Sequence, residues 1–298
     1  MNQTTGLIDY NECGQIALEF KPAMLICGFS AYPRDLEYDK FRKIADSVGA
    51  YLMADIAHIS GLVAKKEANN PFKYCDIVTT TTHKSLRGPR AGMIFYKKTG
   101  KKGNLEEKIN QAVFPMLQGG PHEHQIAAIA NQMLEVQSED FHRYVINVKA
   151  NAKALAEGLM KRGYKLATNG TDNHLMLWDL RPKDLTGSKM EKLLEKVHIS
   201  VNKNSIAGDK SAITPGGIRL GTPAMTTRGC NEKDMDEVAE LLHRGAVIGL
   251  DIQKNTGKKL TGFIDAMEGS EKIVKLKEDV HSFAKQFDIP GFDVKEFD

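Results

Sequence analysis

The sequence predicts an α/β protein organised around a mainly parallel sheet, and three observations lead there. Short, continuous apolar runs recur through the first half. Stretches with one apolar helical face separate them. The strand, helix, strand spacing leaves room for the crossover connections that parallel pairing requires.

Taken in order, Ala23-Met-Leu-Ile-Cys-Gly28 is an apolar run ending in glycine, as a buried parallel strand ends. Residues from about Glu37 to Val48 place Phe41, Ile44, Ala45 and Val48 on one helical face, and Gly49 supplies a stop. Tyr51–Asp55, Cys75–Thr79 and Ala91–Tyr96 read as three further strands. From His124 to about Arg162 the pattern is helical, with Ile126, Ile129, Ala130, Met133 and Leu134 on one face and Ala152, Leu155, Ala156 and Leu159 on another. A break near Ser138-Glu-Asp divides this stretch, so residues 1–138 are expected to form a larger domain with its connecting helix and 139–298 a smaller one. In the latter, His174–Asp179 and Gly217–Leu220 are strands, Lys189–Val197 is a short helix, and Asn231 caps a helix running to about Gly249. Ser270 caps a last helix with a stripe of Ile273, Leu276, Val280, Phe283 and Phe287.

The composition suits this picture. A chain of 298 residues with 41% hydrophobic and 27% charged content can bury a sizeable core. Its net charge of +3 is too small to imply nucleic acid or an anionic membrane. The basic clusters at Lys97-Lys98 with Lys101-Lys102, and at Lys258-Lys259, read as solvated loops without aromatic interleaving. Cys13, Cys27, Cys75 and Cys230 are scattered without CxxC spacing, which suggests reduced thiols and neither a disulfide framework nor a metal site. No apolar run reaches the ~18 residues of a membrane span, and the first residues carry no secretory or transit pattern. A soluble, intracellular protein is expected.

The most informative segment is Asp76-Ile-Val-Thr-Thr-Thr-Thr-His-Lys-Ser-Leu-Arg-Gly-Pro-Arg90. Four β-branched hydroxyl residues stiffen the chain just before His83 and Lys84. A lysine held there, partly desolvated and near other cations, suits condensation with an aldehyde. Ligands in open α/β sheets gather at the carboxyl ends of strands, and two other strand ends carry matching groups. One is Gly28-Phe-Ser-Ala-Tyr32, with Ser30 after the strand; the other is Asp55-Ile-Ala-His58. An aspartate at the end of a buried strand needs a cationic partner, and a protonated pyridine nitrogen would serve. Taken singly, Asp55 also reads as a turn cap, His58 as a structural histidine and Ser30 as a turn residue.

Together these segments resemble the serine hydroxymethyltransferase family. The likeness includes Gly28–Tyr32, Asp55–Ala64, Val78–Arg90, Phe114-Pro-Met-Leu-Gln-Gly-Gly-Pro-His122, Asp172-Asn-His-Leu175, Val201–Ser205 and Gly217-Ile-Arg-Leu-Gly-Thr-Pro-Ala224, in order as far as Gln253. The resemblance implies a fold-type I pyridoxal-phosphate-dependent transferase, aspartate aminotransferase-like, with a partial large domain and a small C-terminal α/β domain. It implies that Lys84 bonds covalently to pyridoxal 5'-phosphate, that Asp55 faces the pyridine nitrogen, and that His58 and Ser30 lie near the phenolic oxygen. His83 is implied as a cofactor-site histidine. Arg219 would bind the amino-acid carboxylate through its planar fork; a structural salt bridge is the other reading. Gly119 and Gly120 would lend backbone N–H groups to the cofactor phosphate of a neighbouring subunit, where the alternative is a tight turn. Asn204, beside Lys203, would line the folate pocket.

The reaction so implied takes L-serine and tetrahydrofolate to glycine and 5,10-methylenetetrahydrofolate in a homodimer or homotetramer, with no metal. Relatives carry roughly a further third ahead of the point matched by Met1, holding a phosphate cradle, a ring-stacking histidine and acid/base residues. Nothing among the first 22 residues resembles these, so a truncated gene product with exposed apolar surface is expected. A cytoplasmic location is expected too, with mitochondrion and plastid left open. Two other readings stand beside this one: a non-catalytic chain acting only as a dimerisation partner, and a different fold-type I enzyme. The four-threonine block argues against the second.

Overall fold

The computed structural model describes residues 1–98, 104–211 and 213–292; Lys101 and Lys102 of the basic cluster lie outside them. The chain divides into two compact units, one of Asp9–Ser30 with Asp35–Val145, the other of Met1–Ile8, Ala31–Arg34 and Ile146–Asp298.

The first unit contains α1 (Tyr10–Phe20), β1 (Met24–Gly28), α2 (Tyr38–Ser47), β2 (Tyr51–Asp55), α3 (Ser60–Ala64), β3 (Ile77–Thr81), β4 (Gly92–Tyr96), α4 (Leu105–Gln111) and α5 (Glu123–Gln137). The helix α6 (Glu139–Lys161) begins in it and runs on into the other unit. Helix α1, which no periodicity announced, is started by Asp9, whose carboxylate accepts the N–H groups of Asn11 and Glu12. The sheet order is β1-β2-β3-β4, with β1, β2 and β3 parallel and β4 antiparallel. Its register sets Gly28 beside Asp55 and Asp55 beside Thr79, so the carboxyl ends of three strands lie level.

Strand alternation gives this sheet two unlike faces. Cys27, Leu52, Ala54 and Val78 are buried on one, where α2 packs on β1 and β2. Arg42 of α2 secures that contact by donating to Asp76 Oδ2 at 2.8 Å, an oxygen that also accepts the Leu52 N–H. The other face carries Met24, Ile26 and Asp55, and Ile26 is 62% exposed. Reading β1 as a buried strand is thus corrected: on this face Met24 and Ile26 are exposed, although Ile77 of β3 on the same face is buried. The stripe read on α5 is corrected likewise. Ile126 and Leu134 point outward, whereas Gln132 and Val136 are buried and Met133 packs with Leu62, Leu86, Phe141 and Val145.

The second unit holds β5 (Lys165–Leu166), β6 (Leu175–Asp179), α7 (Gly187–Lys196), β7 (Asn202–Asn204), β8 (Gly217–Gly221), α8 (Pro223–Thr227), α9 (Glu232–Thr256), α10 (Leu260–Asp265) and α11 (Glu271–Ala284). Its sheet, in the order β5-β6-β8-β7, is antiparallel throughout. Met176, Trp178, Ile218 and Leu220 alternate into a core shared with Ala152, Leu155, Ala156 and Leu159 of α6. Asn231 and Asp234 form a reciprocal capping box at the start of α9, which runs past Gly249. Ile273, Leu276 and Val280 of α11 are buried in the same core, with Phe283 and Phe287 packed against it, and Ser270 holds the N-cap position without the side-chain bond expected of a cap.

Candidate active site

The segments that carry the acid and the lysine are tied together at the carboxyl edge of the first sheet. Gly28 ends β1 where a Cβ would stand 2.4 Å from the Asp55 carbonyl oxygen, so only glycine allows the two strands this approach. After Asp55 the chain turns sharply. Asp55 Oδ1 accepts the Ala57 N–H at 3.0 Å, and the Ile56 N–H reaches Thr79 O on β3 at 2.9 Å. That turn leads into α3, whose Gly61 N–H donates to Ser85 Oγ at 3.0 Å, with Ser60 Oγ 3.3 Å from the same hydroxyl. Ser85 follows Lys84 directly. The loop behind Asp55 is therefore locked to the loop that carries the lysine.

Lys84 is held from both sides. Upstream, Thr82 is fully buried; its Oγ1 donates to Pro89 O at 2.6 Å, and its carbonyl accepts the Gly88 N–H at 2.8 Å. Downstream, Leu86 is buried with Leu62, Phe141 and Val145, and the Arg87 N–H closes a turn on Lys84 O at 2.9 Å. Only the lysine side chain is left at liberty. It is exposed, as is Asp55, and here the structure departs from the sequence expectation. Lys84 is not partly desolvated, and Asp55 has no ion pair among the described residues. Asp55 ends β2 on the face where Met24 and Ile26 are also exposed.

Of the remaining residues singled out in the sequence, His58 and His83 are half-buried and Ser30 is exposed just beyond β1. Gly119 and Gly120 line a cleft of about 920 Å³ together with Thr79, Arg90, Gly92 and Ile126. Neither glycine is left-handed, and a Cβ on either would meet nothing within 4 Å. No turn strain or close approach within this unit demands glycine there. The His122 ring Nδ1 lies 3.0 Å from Gln125 Oε1, and Gln125 Nε2 donates to Arg90 O at 2.7 Å, which ties the glycine segment to the end of the lysine loop.

Arg219 and Asn204 belong to the second unit. Arg219 sits in the middle of β8, in register with Leu177 of β6 and Asn202 of β7, and its Nη2 donates to Asn202 Oδ1 at 3.3 Å. Asn204, in register with Gly217, turns its amide to Ser205 O at 2.8 Å. A brace that the sequence did not reveal supports the loop between these strands. Asp209 Oδ2 accepts the N–H groups of Ile206 and Gly216, and Arg181 links Asp209 to the buried Asp179. Alternating hydropathy carries no sign of such an ion triad.

The first unit fits an anionic aromatic aldehyde with a basic ring nitrogen. It offers a primary amine, a carboxylate with one oxygen steered by Ala57 and, in the segment leading to Lys84, the buried atoms Thr79 Oγ1, Thr81 Oγ1 and His83 Nδ1 without a hydrogen-bond partner. Buried polar atoms left unsatisfied are costly and await a ligand or water.

An acid and a lysine loop at the level carboxyl ends of parallel strands are the hallmarks of the fold-type I pyridoxal-phosphate enzymes, and this chain has that fold. The family model described as serine hydroxymethyltransferase matches residues 1–242, and the chain belongs to that family. The family is pyridoxal-phosphate-dependent and uses tetrahydrofolate as co-substrate. Among relatives, serine hydroxymethyltransferase 4 of Arabidopsis thaliana is 54% identical over 99% of this chain and 65% of its own length. The Bombyx mori serine hydroxymethyltransferase is 53% identical over 97% and 65%, and that of Caenorhabditis elegans 51% over 98% and 60%. The chain thus spans less than two thirds of the length of these relatives. No helix among the described residues is long and apolar enough to cross a membrane.

Proposed function

We propose that this chain serves pyridoxal-phosphate-dependent transfer of the hydroxymethyl carbon of L-serine to tetrahydrofolate, with glycine and 5,10-methylenetetrahydrofolate as products. The observation that carries the reading is the interlock of the Asp55 and Lys84 loops through Gly61 and Ser85. When bound, the cofactor supplies a sink for the electron pair released as the Cα–Cβ bond opens.

The residues divide the remaining work. Lys84 offers the amine for covalent attachment. Asp55 holds a proton at the ring nitrogen; the Ala57 N–H fixes one carboxylate oxygen, and the other remains for that contact. Ser30 and His58 are assigned to the phenolic oxygen, and His83 to the cofactor site. Arg219 orients the amino acid by gripping its carboxylate, with Asn202 steadying the guanidinium. Asn204 is assigned to the folate.

Gly119 and Gly120 are assigned to the phosphate of a neighbouring subunit, in a homodimer or homotetramer; their openness within their own unit favours this. A cytoplasmic location completes the proposal.

The test is to add pyridoxal phosphate to the purified chain, reduce with borohydride and locate the pyridoxyl group by peptide mass spectrometry. The expected label is on Lys84, absent in Lys84→Ala, and serine-dependent formation of methylenetetrahydrofolate should follow the label. A label spread over surface lysines, unchanged in Lys84→Ala, sinks the proposal.

A further inference from the structure

Arg87 occupies a position whose backbone suits another residue. Its φ is +61°, a left-handed conformation that glycine adopts freely and a long side chain adopts at a cost of about 1 kcal/mol. The strain sits in the turn that Lys84 opens, since the Arg87 N–H closes on Lys84 O. What offsets it is visible in the same unit. The guanidinium carbon lies 4.4 Å from the ring centroid of Tyr144 on α6, inside the range of a cation–π contact. Tyr144 in turn packs against Phe141, at 5.7 Å between centroids, and against the cluster that buries Leu86. Adjacent residues of one turn are therefore fastened to one support, Leu86 by burial and Arg87 by its charge over an aromatic face.

We infer that Arg87 is a positioning residue for Lys84: stacked on Tyr144, it fixes the turn from which the lysine amine is presented. The inference rests on the reading of Lys84 as the attachment lysine. A glycine at position 87 would relieve the backbone strain while freeing the turn to move. Arginine gives up that ease for a fixed turn. Amine and aldehyde condense to a C=N bond with loss of water, and the rate depends on how often the amine stands in reach.

The test uses the whole chain and pyridoxal phosphate, following the absorbance of the C=N bond and its borohydride-trapped product on Lys84, with thermal unfolding in parallel. Arg87→Gly should retain or raise the melting temperature yet slow capture by about tenfold or more. Tyr144→Leu should slow capture similarly, Tyr144→Phe should preserve it, and Arg87→Lys should restore part of it. The double variant Arg87→Gly/Tyr144→Leu should be no slower than either single one. A structural role alone would move melting temperature and capture together, and that result overturns the inference. So does wild-type capture in Arg87→Gly. A wild-type chain that captures nothing on Lys84 overturns the attachment reading itself, and the inference with it.

Discussion

Gly61 and Ser85 meet at the closest approach in the site: Ser85 Oγ accepts the Gly61 N–H at 3.0 Å, and a Cβ on Gly61 would stand 2.3 Å from the Ser85 carbonyl oxygen. Neither backbone can yield without moving a strand end, because Gly61 is tied through α3 to Asp55 and Ser85 adjoins Lys84. Gly61→Ala should destabilise the chain by about 1–3 kcal/mol, as overpacking does, and weaken cofactor capture by Lys84. Denaturant unfolding and borohydride trapping measure the two effects. An alanine variant with wild-type stability and capture would show that the loops are not locked.

Gly119→Ala is the counterpart. With nothing within 4 Å of the added methyl, the melting temperature should stay within about 1 °C of wild type, surface changes of this kind being nearly neutral. If the glycine serves a neighbouring subunit's phosphate, the same methyl should weaken pyridoxal phosphate binding in the assembled protein. Equilibrium dialysis across a range of protein concentrations reads this out. Unaltered affinity at every concentration removes Gly119 from the cofactor site.

Asp55→Asn separates charge from scaffold. The asparagine oxygen can accept the Ala57 N–H as the carboxylate does, so the turn into α3 should persist and stability should hardly change. The amide cannot keep a ring nitrogen protonated. Capture of the aldehyde by Lys84 should survive, while serine turnover falls on the order of a hundredfold or more. Loss of both turnover and melting temperature would mean that the carboxylate acts in the fold.

The sheet of the first unit was legible because each apolar run is short, ends in a turn signal and is followed by a helical face. Gly28, Asp55 and His83-Lys84 were legible as strand ends for the same reason. What pattern could not tell was which sides are covered. Ile26 and Ile126 are as apolar as any buried residue, yet exposed, because hydropathy reports preference and not the presence of a neighbouring element. The Ser85–Gly61 contact and the Arg87–Tyr144 stack escaped for another reason. Both join residues distant in sequence through geometry at one point, and neither leaves a periodic trace.

The brace beside β8 gives a pH prediction whose sign follows from its charges. Asp179 is buried at the end of β6, where Arg181 reaches it with Nε on Oδ1 at 2.8 Å and Nη2 on Oδ2 at 2.9 Å, while Lys165 stands 3.6 Å away. Burial alone would raise its pKa; the bonds and charge of Arg181 outweigh burial and hold the carboxyl below its usual range. A folded-state pKa depressed below the unfolded one means that stability is fully present above the unfolded value, near 4 for aspartate, and is lost as pH falls through the folded value. The wild-type melting temperature should therefore have this contribution intact from neutral pH down to about 4 and lose it below. Arg181→Met should reverse the dependence: Asp179 would keep a buried charge with only Lys165 nearby, costing about 3 kcal/mol at neutral pH, and acid would relieve that cost by protonating it. Asp179→Asn combined with Arg181→Met should recover part of the loss and remove this pH dependence. Melting curves by circular dichroism between neutral pH and about pH 3 distinguish these outcomes. Parallel pH profiles for wild type and Arg181→Met would show that the pair does not hold the loop between β7 and β8.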